Sequence, residues 1–137
     1  MPLFLRASIA ALLVSLAGCA SMPRQLACSS GEQRLVHDAL YFGTAKPTGV
    51  VSAAEWAEFL GNTVTPRFPQ GLTAWQASGQ WRGADGAIVN EASHVLNLLH
   101  ADDAANEQAV VEIVEAYKSR FQQEAVLRVK SQACASF

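Results

Sequence analysis

The sequence is poor in the residues and motifs that form recognisable catalytic or metal sites. It holds three cysteines and three histidines in 137 residues, and it contains no C-x-x-C, H-E-x-x-H, G-x-G-x-x-G, Walker-type or G-x-S-x-G motif. The histidines, His37, His94 and His100, are scattered and do not have the spacing of metal ligands. We therefore expect no metal, no cofactor and no catalytic residue, although scattered residues can still assemble a site.

Charge is also scarce, and neither sign is in large excess. Charged residues make up 16% of the chain, with 10 lysines and arginines against 12 aspartates and glutamates. Nucleic acids and anionic lipid surfaces are bound through clusters of positive charge. The composition therefore predicts no nucleic-acid partner.

The sequence also lacks an apolar run that is long enough to cross a bilayer. The longest run, Ala7 to Ala17, has 11 residues, follows the single cation Arg6 and ends in small residues. A membrane-spanning helix needs roughly twenty residues, whereas a signal peptide needs a shorter apolar stretch. Residues 1–18 are therefore predicted to be a signal peptide that is removed.

The end of this segment predicts a lipid anchor. Residues 16–19, Leu-Ala-Gly-Cys, resemble the bacterial lipobox, in which the cysteine is acylated and becomes the new N-terminus. Several acyl chains on Cys19 would hold the protein durably to a membrane. Ala20, in place of aspartate, is typical of sorting to the outer membrane, facing the periplasm. The alternative is an ordinary secretory signal with a chance cysteine.

The rest of the chain is predicted to be a short tether and one domain. Residues 19–31 lack periodicity, and residues 32–137 have the length of a single domain. Cys28 and Cys134 lie near its two ends, and the compartment beyond the inner membrane is oxidising. We expect them to form a disulfide rather than remain two free buried thiols. A bridge over about a hundred residues stabilises by roughly 4 to 5 kcal/mol in the chain-entropy model.

The hydrophobic pattern predicts the element order β-α-β-β-α-β. A strand is predicted over 33–43, followed by a helix that begins at a capping box over 52–55. Two strands follow, over 71–82 and 87–100, and an Asp-Gly turn joins them. The last two elements are a helix from Asp102 to Phe121 and a strand over 124–130. This order is that of the α+β ferredoxin-like fold, a four-stranded antiparallel sheet with both helices on one face. The last strand then lies beside the first, which brings Cys28 near Cys134.

Alternation along the strands predicts which side chains face the helices. We assign the more apolar set of each strand to that face. This set comprises Val36, Leu40, Phe42, Trp75, Ala77, Trp81, Leu96, Leu98, Leu127 and Val129. The alternate set then faces away from the helices, and it comprises Leu35, His37, Ala39, Tyr41, Gln76, Ser78, Gln80, Arg82, Val95, Asn97, Leu99, Val126 and Arg128.

The face away from the helices is the predicted place for a ligand or partner. Polar groups in an apolar setting orient small ligands, and the predicted ligand-binding residues are His37, Tyr41, Gln76, Gln80, Arg82, Asn97 and Arg128. The apolar residues between them form a patch that monomers seldom leave exposed. A second copy of the chain or another envelope protein could cover it. The simpler alternative is a face in contact with solvent alone.

Five stretches of the sequence resemble one protein family. They are LYFG (40–43), VSAAEWAEFL (51–60), VTPRFPQGLT (64–73), GQWR (79–82) and YKSRFQQEAVLRV (117–129). Together they resemble DUF3574, a family of small exported bacterial proteins of unknown function. The resemblance covers residues 33–137 and implies one envelope domain. It implies no activity, cofactor or site residue.

These observations favour a lipid-anchored protein of the cell envelope that binds a small ligand or a protein and is not an enzyme. The alternative is a cofactor-independent enzyme of the dimeric α+β barrel type. In that arrangement two sheets enclose a cavity, and His37 or Tyr41 acts as acid or base. A structural partner of another envelope protein is a third interpretation.

Overall fold

The computed structural model describes residues 26–137, so the predicted signal peptide and Cys19 lie outside the described residues. The elements are β1 (Gln33–Gly43), β2 (Ala45–Lys46), β3 (Gly49–Val50), α1 (Ala53–Phe59), β4 (Thr73–Arg82), β5 (Ile88–His100), α2 (Ala104–Phe121) and β6 (Leu127–Ala135). A single π-helical segment, Leu60–Val64, continues α1. Within residues 26–137, neither helix combines the length and apolar character that crossing a membrane requires.

The four long strands form one antiparallel sheet in the order β4-β5-β1-β6. In the centre, β1 pairs with β5 from Val36↔His100 to Gly43↔Ser93. On its other side β1 pairs with β6 from Gln33↔Ala135 to Tyr41↔Leu127. The prediction of a four-stranded antiparallel sheet with two helices is confirmed. The short strands β2 and β3 form a separate hairpin between β1 and α1, where no strand was predicted.

Side-chain caps fix where the two helices begin. The Ser52 hydroxyl accepts a hydrogen bond from the Glu55 N–H, and the Glu55 carboxylate accepts one from the Ser52 N–H, so the predicted capping box is present. In α2 the cap is Asp103, which accepts from the Asn106 N–H. Gln122, in the left-handed conformation, ends α2.

Both helices pack on the same side of the sheet. Their buried residues form one cluster with alternate residues of the central strands, and the main members of this cluster are Leu40, Phe42, Trp56, Phe59, Leu96, Leu98, Val110, Ile113, Tyr117 and Phe121. The Tyr117 hydroxyl donates to the Gly43 carbonyl at 2.8 Å, which ties α2 to the end of β1. We call this side of the sheet the helix side. The opposite side, formed by the odd-numbered residues of the four long strands, is called the open face.

The predicted faces are correct for the central strands and wrong for the edge strands. Trp75 of β4 is the cross-strand partner of Val95, and Leu127 of β6 is the partner of Tyr41, so both lie on the open face. Ala77, Trp81 and Val129 also lie on the open face, although they were predicted to face the helices. The opposite error concerns residues that were predicted to face away from the helices and lie on the helix side: Gln76, Ser78, Gln80, Arg82, Val126 and Arg128. Because side chains alternate along a strand, one wrong choice of face places every side chain of that strand on the wrong side of the sheet. On these two strands the more apolar set is the one that the helices do not cover.

The disulfide between Cys28 and Cys134 is present, as predicted, with a Cα–Cα distance of 5.5 Å. It joins the segment before β1 to β6. The last strand differs from the prediction, because it runs from Leu127 to Ala135 rather than over residues 124–130. Its partner β1 begins at Gln33, so backbone hydrogen bonding continues beyond the apolar stretch.

Candidate functional site

A cavity of about 700 Å³ lies at one end of the open face. Its walls come from the start of β1, the end of β5, the start of β4 and the segment before β4, together with the last residue. The lining residues are Gln33, Leu35, His37, Gln70, Gly71, Leu72, Thr73, Asn97, Leu99, His100, Ala101 and Phe137. A cavity of this size is in the range that accepts small organic molecules.

Asn97 carries the most informative polar group in this cavity. It lies in the middle of the sheet, opposite Ala39 on β1 and Thr73 on β4. Its side-chain oxygen, Oδ1, is buried and has no hydrogen-bond donor among the described residues. A buried acceptor without a donor is destabilising by about 1 to 3 kcal/mol, so such groups are rare. Asn97 therefore lines the cavity and carries a buried side-chain acceptor that lacks a donor.

The cavity wall mixes neutral polar groups with apolar ones. The side chains of Gln33, Gln70 and Thr73 supply amide and hydroxyl groups, and Leu35 and Leu99 supply apolar surface. Among the described residues, no aspartate, glutamate, lysine or arginine lines this cavity. A charged ligand that loses its water here would have no side chain of opposite fixed charge. The arrangement fits an uncharged molecule with both polar and apolar parts.

The structure brings together two of the seven predicted ligand-binding residues. His37 and Asn97 both line the cavity. Tyr41 shares the open face but lies outside the cavity wall. The other four predicted residues, Gln76, Gln80, Arg82 and Arg128, lie on the helix side of β4 and β6. The prediction that these four share a face with His37 is therefore wrong.

Several lining residues were not predicted from the sequence. Gln70, Gly71 and Leu72 lie between the helical turn and β4; Gly71 and Leu72 were predicted to begin the strand over 71–82, but β4 begins at Thr73. Their nearest signal was the distinctive stretch over residues 64–73. Gly71 adopts φ +154, a conformation that other residues rarely take, so glycine is needed where this segment turns into β4.

His100 links the cavity to a cluster of charges on the helix side, in which Asp38 is buried. Its Nε2 lies 2.9 Å from Asp38 Oδ2, and its Nδ1 lies 2.8 Å from the Ala101 carbonyl oxygen. Asp38 is fully buried, and Arg128 binds both of its carboxylate oxygens. Arg128 also donates to Glu107 of α2. His100, a residue of the cavity wall, is thus held by Asp38 on the helix side and by the Ala101 carbonyl.

The ion pairs in this cluster favour charged forms. Burial opposes ionisation of Asp38, but hydrogen bonds from Arg128 and His100 outweigh it and lower the pKa of Asp38 below its usual value. Hydrogen bonds from Arg128 and then Lys130 lower the pKa of Glu107 to about 2. Hydrogen bonds to Glu107 and Asp38 raise the pKa of Arg128 further above its already high value. The cluster therefore stays ionised at neutral pH.

A second cavity, of about 300 Å³, adjoins the first around the end of β5. The two cavities share Gln70, Gly71, Leu99, His100 and Ala101. Arg67 and Asn106 line only the second cavity, and both are already engaged within the protein. Arg67 binds Glu112 and the Thr63 carbonyl, and Asn106 binds Asp103. The second cavity therefore adds space beside the first, and in the described part of the chain it holds no unpartnered group like that of Asn97.

His94 and the disulfide cysteines are placed in structural roles. The His94 ring stacks on Trp56 of α1 with a centroid distance of 4.3 Å, and burial lowers the pKa of His94. In residues 26–137 one cluster of three potential metal ligands occurs, formed by Cys28, Glu32 and Cys134. Its two sulfurs are joined to each other, so they offer no thiolate to a metal.

Comparison with known sequences identifies a family. A profile of the family described as "Protein of unknown function (DUF3574)" matches residues 37–137. This range contains all four long strands except the start of β1, and it contains both helices. No curated protein matches the sequence.

Two solved structures of a phage SAM lyase resemble this chain. The lyase in complex with S-methyl-5'-thioadenosine has a TM-score of 0.54 and 12% identity, and the match covers 84% of this chain and 97% of that chain. The apo lyase has a TM-score of 0.47 and 16% identity, with 85% and 97% covered. The first of these likenesses shows a similar fold, and at 12% identity it shows nothing further.

Proposed function

The chain belongs to the DUF3574 family of proteins of unknown function, and from this premise we propose that it binds an uncharged small molecule in the bacterial cell envelope. The observation that carries this proposal is Asn97, which lines a 700 Å³ cavity and whose buried Oδ1 has no donor among the described residues. A rotation of the Asn97 amide brings Oδ1 to the cavity, where a ligand N–H or O–H group supplies the missing donor. The apolar part of the ligand packs against Leu35, Leu72 and Leu99.

The envelope location is proposed from the N-terminal sequence and the disulfide. We place a signal peptide at residues 1–18 and the lipid anchor at Cys19, with the domain facing the periplasm from the outer membrane. The bond between Cys28 and Cys134 supports an oxidising compartment, because such bonds are rare in the reducing cytosol. The variant Cys19→Ser should lose acylation and leave the membrane fraction. An unmodified Cys19 in the membrane-bound wild-type protein, found by mass spectrometry of its peptide, would contradict the anchor.

A second candidate function is catalysis, and the phage SAM lyase favours it. We assign the strand order β4-β5-β1-β6, with both helices on one side, to the ferredoxin-like fold. A similar fold occurs in an enzyme solved with S-methyl-5'-thioadenosine. In a cofactor-independent enzyme of this type His37 would be the acid or base, because its imidazole lines the cavity and Tyr41 does not.

The binding proposal is tested with a pair of related probes on the full chain. S-methyl-5'-thioadenosine is uncharged and carries amine and hydroxyl donors, whereas S-adenosylmethionine adds a sulfonium and an amino-acid group with fixed charges. We expect the uncharged probe, or another uncharged ligand from the same thermal-shift screen, to raise the melting temperature more than its charged counterpart. The reason is that no side chain of fixed charge lines the cavity among the described residues.

The variant Asn97→Leu identifies the site of binding. It removes the acceptor and keeps the branched outline of the side chain, so the ligand-induced shift should disappear. Asn90→Leu is the matched control, because Asn90 is an exposed residue of the same strand outside the cavity. Retention of the shift in Asn97→Leu would exclude the proposed site. Breakdown of S-adenosylmethionine that is lost in His37→Gln would support the enzyme instead of the binding protein.

A further inference from the structure

The open face carries an unusually large apolar surface for a protein chain on its own. One row of side chains crosses all four strands, in the order Trp75, Val95, Tyr41 and Leu127. Val95 is buried between its neighbours, while Trp75 and Leu127 are 45% and 62% exposed. Val129, in the next row, is 49% exposed. The remaining large exposed side chains of this face are Trp81, Val89 and Leu99.

Charged residues avoid the open face. Along the four long strands, the charged side chains at helix-side positions are Arg34, Asp38, Arg82, Arg128 and Lys130. In these strands Glu91 is the one residue with a charged carboxylate at an open-face position, and it accepts a hydrogen bond from the Ala45 N–H at 2.8 Å. Depletion of charge and enrichment in tryptophan and tyrosine are typical of the centre of a protein–protein interface.

The size of this surface matches one half of a stable dimer interface. A large apolar or aromatic side chain has about 150 to 250 Å² of surface. The exposed parts of the seven large side chains on the open face therefore amount to roughly 650 Å²; these are Tyr41, Trp75, Trp81, Val89, Leu99, Leu127 and Val129. The largest apolar patch on a typical monomer is about 300 to 600 Å², and a standard interface buries about 800 Å² per partner. The small residues between the aromatic ones add the remainder.

We propose that a second copy of this chain packs on the open face, sheet against sheet. A face with almost no charge does not repel its own copy, and it offers no charge pattern that would select a different, charged partner. Two sheets that pack face to face bury their apolar side chains in a layer about 10 Å thick. Leu99 belongs both to this face and to the cavity wall, so the second copy lies next to the cavity.

This inference is independent of the proposed ligand, because the apolar face is present whether or not the cavity holds a molecule. The test is native mass spectrometry of the full chain. It measures how many copies form one complex, also when detergent is needed to keep a lipid-anchored protein in solution. We expect two copies at micromolar concentration. The variants Leu127→Glu and Val129→Glu should both be monomeric, because each places a charge in the apolar layer between the two sheets.

The matched control is Val111→Glu on α2. Val111 is 42% exposed, close to the exposure of Val129, but it lies on the helix that covers the other side of the sheet. This variant should keep two copies. Melting curves of the three variants identify any that is unfolded, and the two open-face positions on the edge strand serve as replicates. A single copy in the wild-type protein, or two copies in folded Leu127→Glu and Val129→Glu, would overturn the proposal.

Discussion

Arg128 binds the buried carboxylate of Asp38 through two hydrogen bonds, from Nε to Oδ1 at 2.7 Å and from Nη2 to Oδ2 at 2.8 Å. The two residues lie on neighbouring strands, β6 and β1, on the helix side. Arg128 continues to Glu107 of α2, so one guanidinium joins an edge strand, a central strand and a helix. The planar fork of arginine suits this double attachment better than the single ammonium of lysine.

The first prediction concerns the loss of this guanidinium. Arg128→Ala leaves the Asp38 carboxylate buried with His100 as its remaining side-chain partner, so the free energy of unfolding should fall by about 3 kcal/mol. Urea denaturation measures the change. Arg128→Lys should lie between the wild-type protein and the alanine variant, because it keeps the charge and loses the fork.

The control for this prediction is Lys130→Ala in the same strand. Lys130 pairs with Glu107 at 2.7 Å, but both side chains are more than a third exposed. Solvent-exposed ion pairs contribute about 0 to 1 kcal/mol, so this variant should unfold close to the wild-type protein. If Arg128→Ala and Lys130→Ala lowered the free energy of unfolding equally, the burial of Asp38 would not explain the effect of Arg128.

The second prediction is loss of stability in acid. The folded pKa of Asp38 is lowered, and the pKa of Glu107 is lowered to about 2, so the unfolded chain binds more protons as pH falls. Their stabilising contribution is complete above the unfolded values of about 4 and is lost as pH falls from there through the folded values. The free energy of unfolding should therefore decrease steadily between pH 5 and pH 2, in about that window.

The variant Glu107→Gln measures the share of one carboxylate in this pH dependence of stability. This variant lacks a proton-binding group at the edge of the cluster, so its stability should depend less steeply on pH in the same window. Glu124→Gln, at an exposed position before β6, is the matched control for the removal of one carboxylate from the surface. An unchanged slope in Glu107→Gln would mean that the ion pairs with Arg128 and Lys130 do not persist in solution.

The third prediction concerns the disulfide. Cys28 and Cys134 are separated by 106 residues in the chain, so the bond restricts nearly the whole unfolded domain. Reduction, or the double variant Cys28→Ser and Cys134→Ser, should lower the free energy of unfolding by about 2 to 5 kcal/mol. The reduced wild-type protein and the double variant should agree. Stability that does not change on reduction would contradict this prediction.

The sequence predicted the elements well because their signals are local. The capping box at Ser52, the turn between β4 and β5, and the helical stripe that ends at Phe121 each arise from neighbouring residues. The position of Cys134 beside the start of β1 followed from the strand order. The central strands were assigned correctly because their helix side is the more apolar one.

The edge strands and the cavity could not be predicted in the same way. On β4 the aromatic residues Trp75 and Trp81 occupy the open face, so hydrophobicity alone assigns the strand to the wrong side. Knowledge of the partner of each residue across the sheet corrects the error. The cavity depends on Gln70 to Leu72 sharing a wall with the start of β1 and the end of β5, and no local pattern encodes that placement.

The last prediction concerns the stability of the protein without a ligand. Because Oδ1 of Asn97 is buried without a donor among the described residues, Asn97→Leu should raise the free energy of unfolding by about 1 kcal/mol while it removes ligand binding. Asn90→Leu, at an exposed position of β5, should change stability by less than about 0.5 kcal/mol. A gain in stability joined to a loss of binding is typical of a functional group kept at a structural cost. A loss of stability in Asn97→Leu would instead mean that the amide has a structural partner such as an ordered water, and the acceptor would then be satisfied without a ligand.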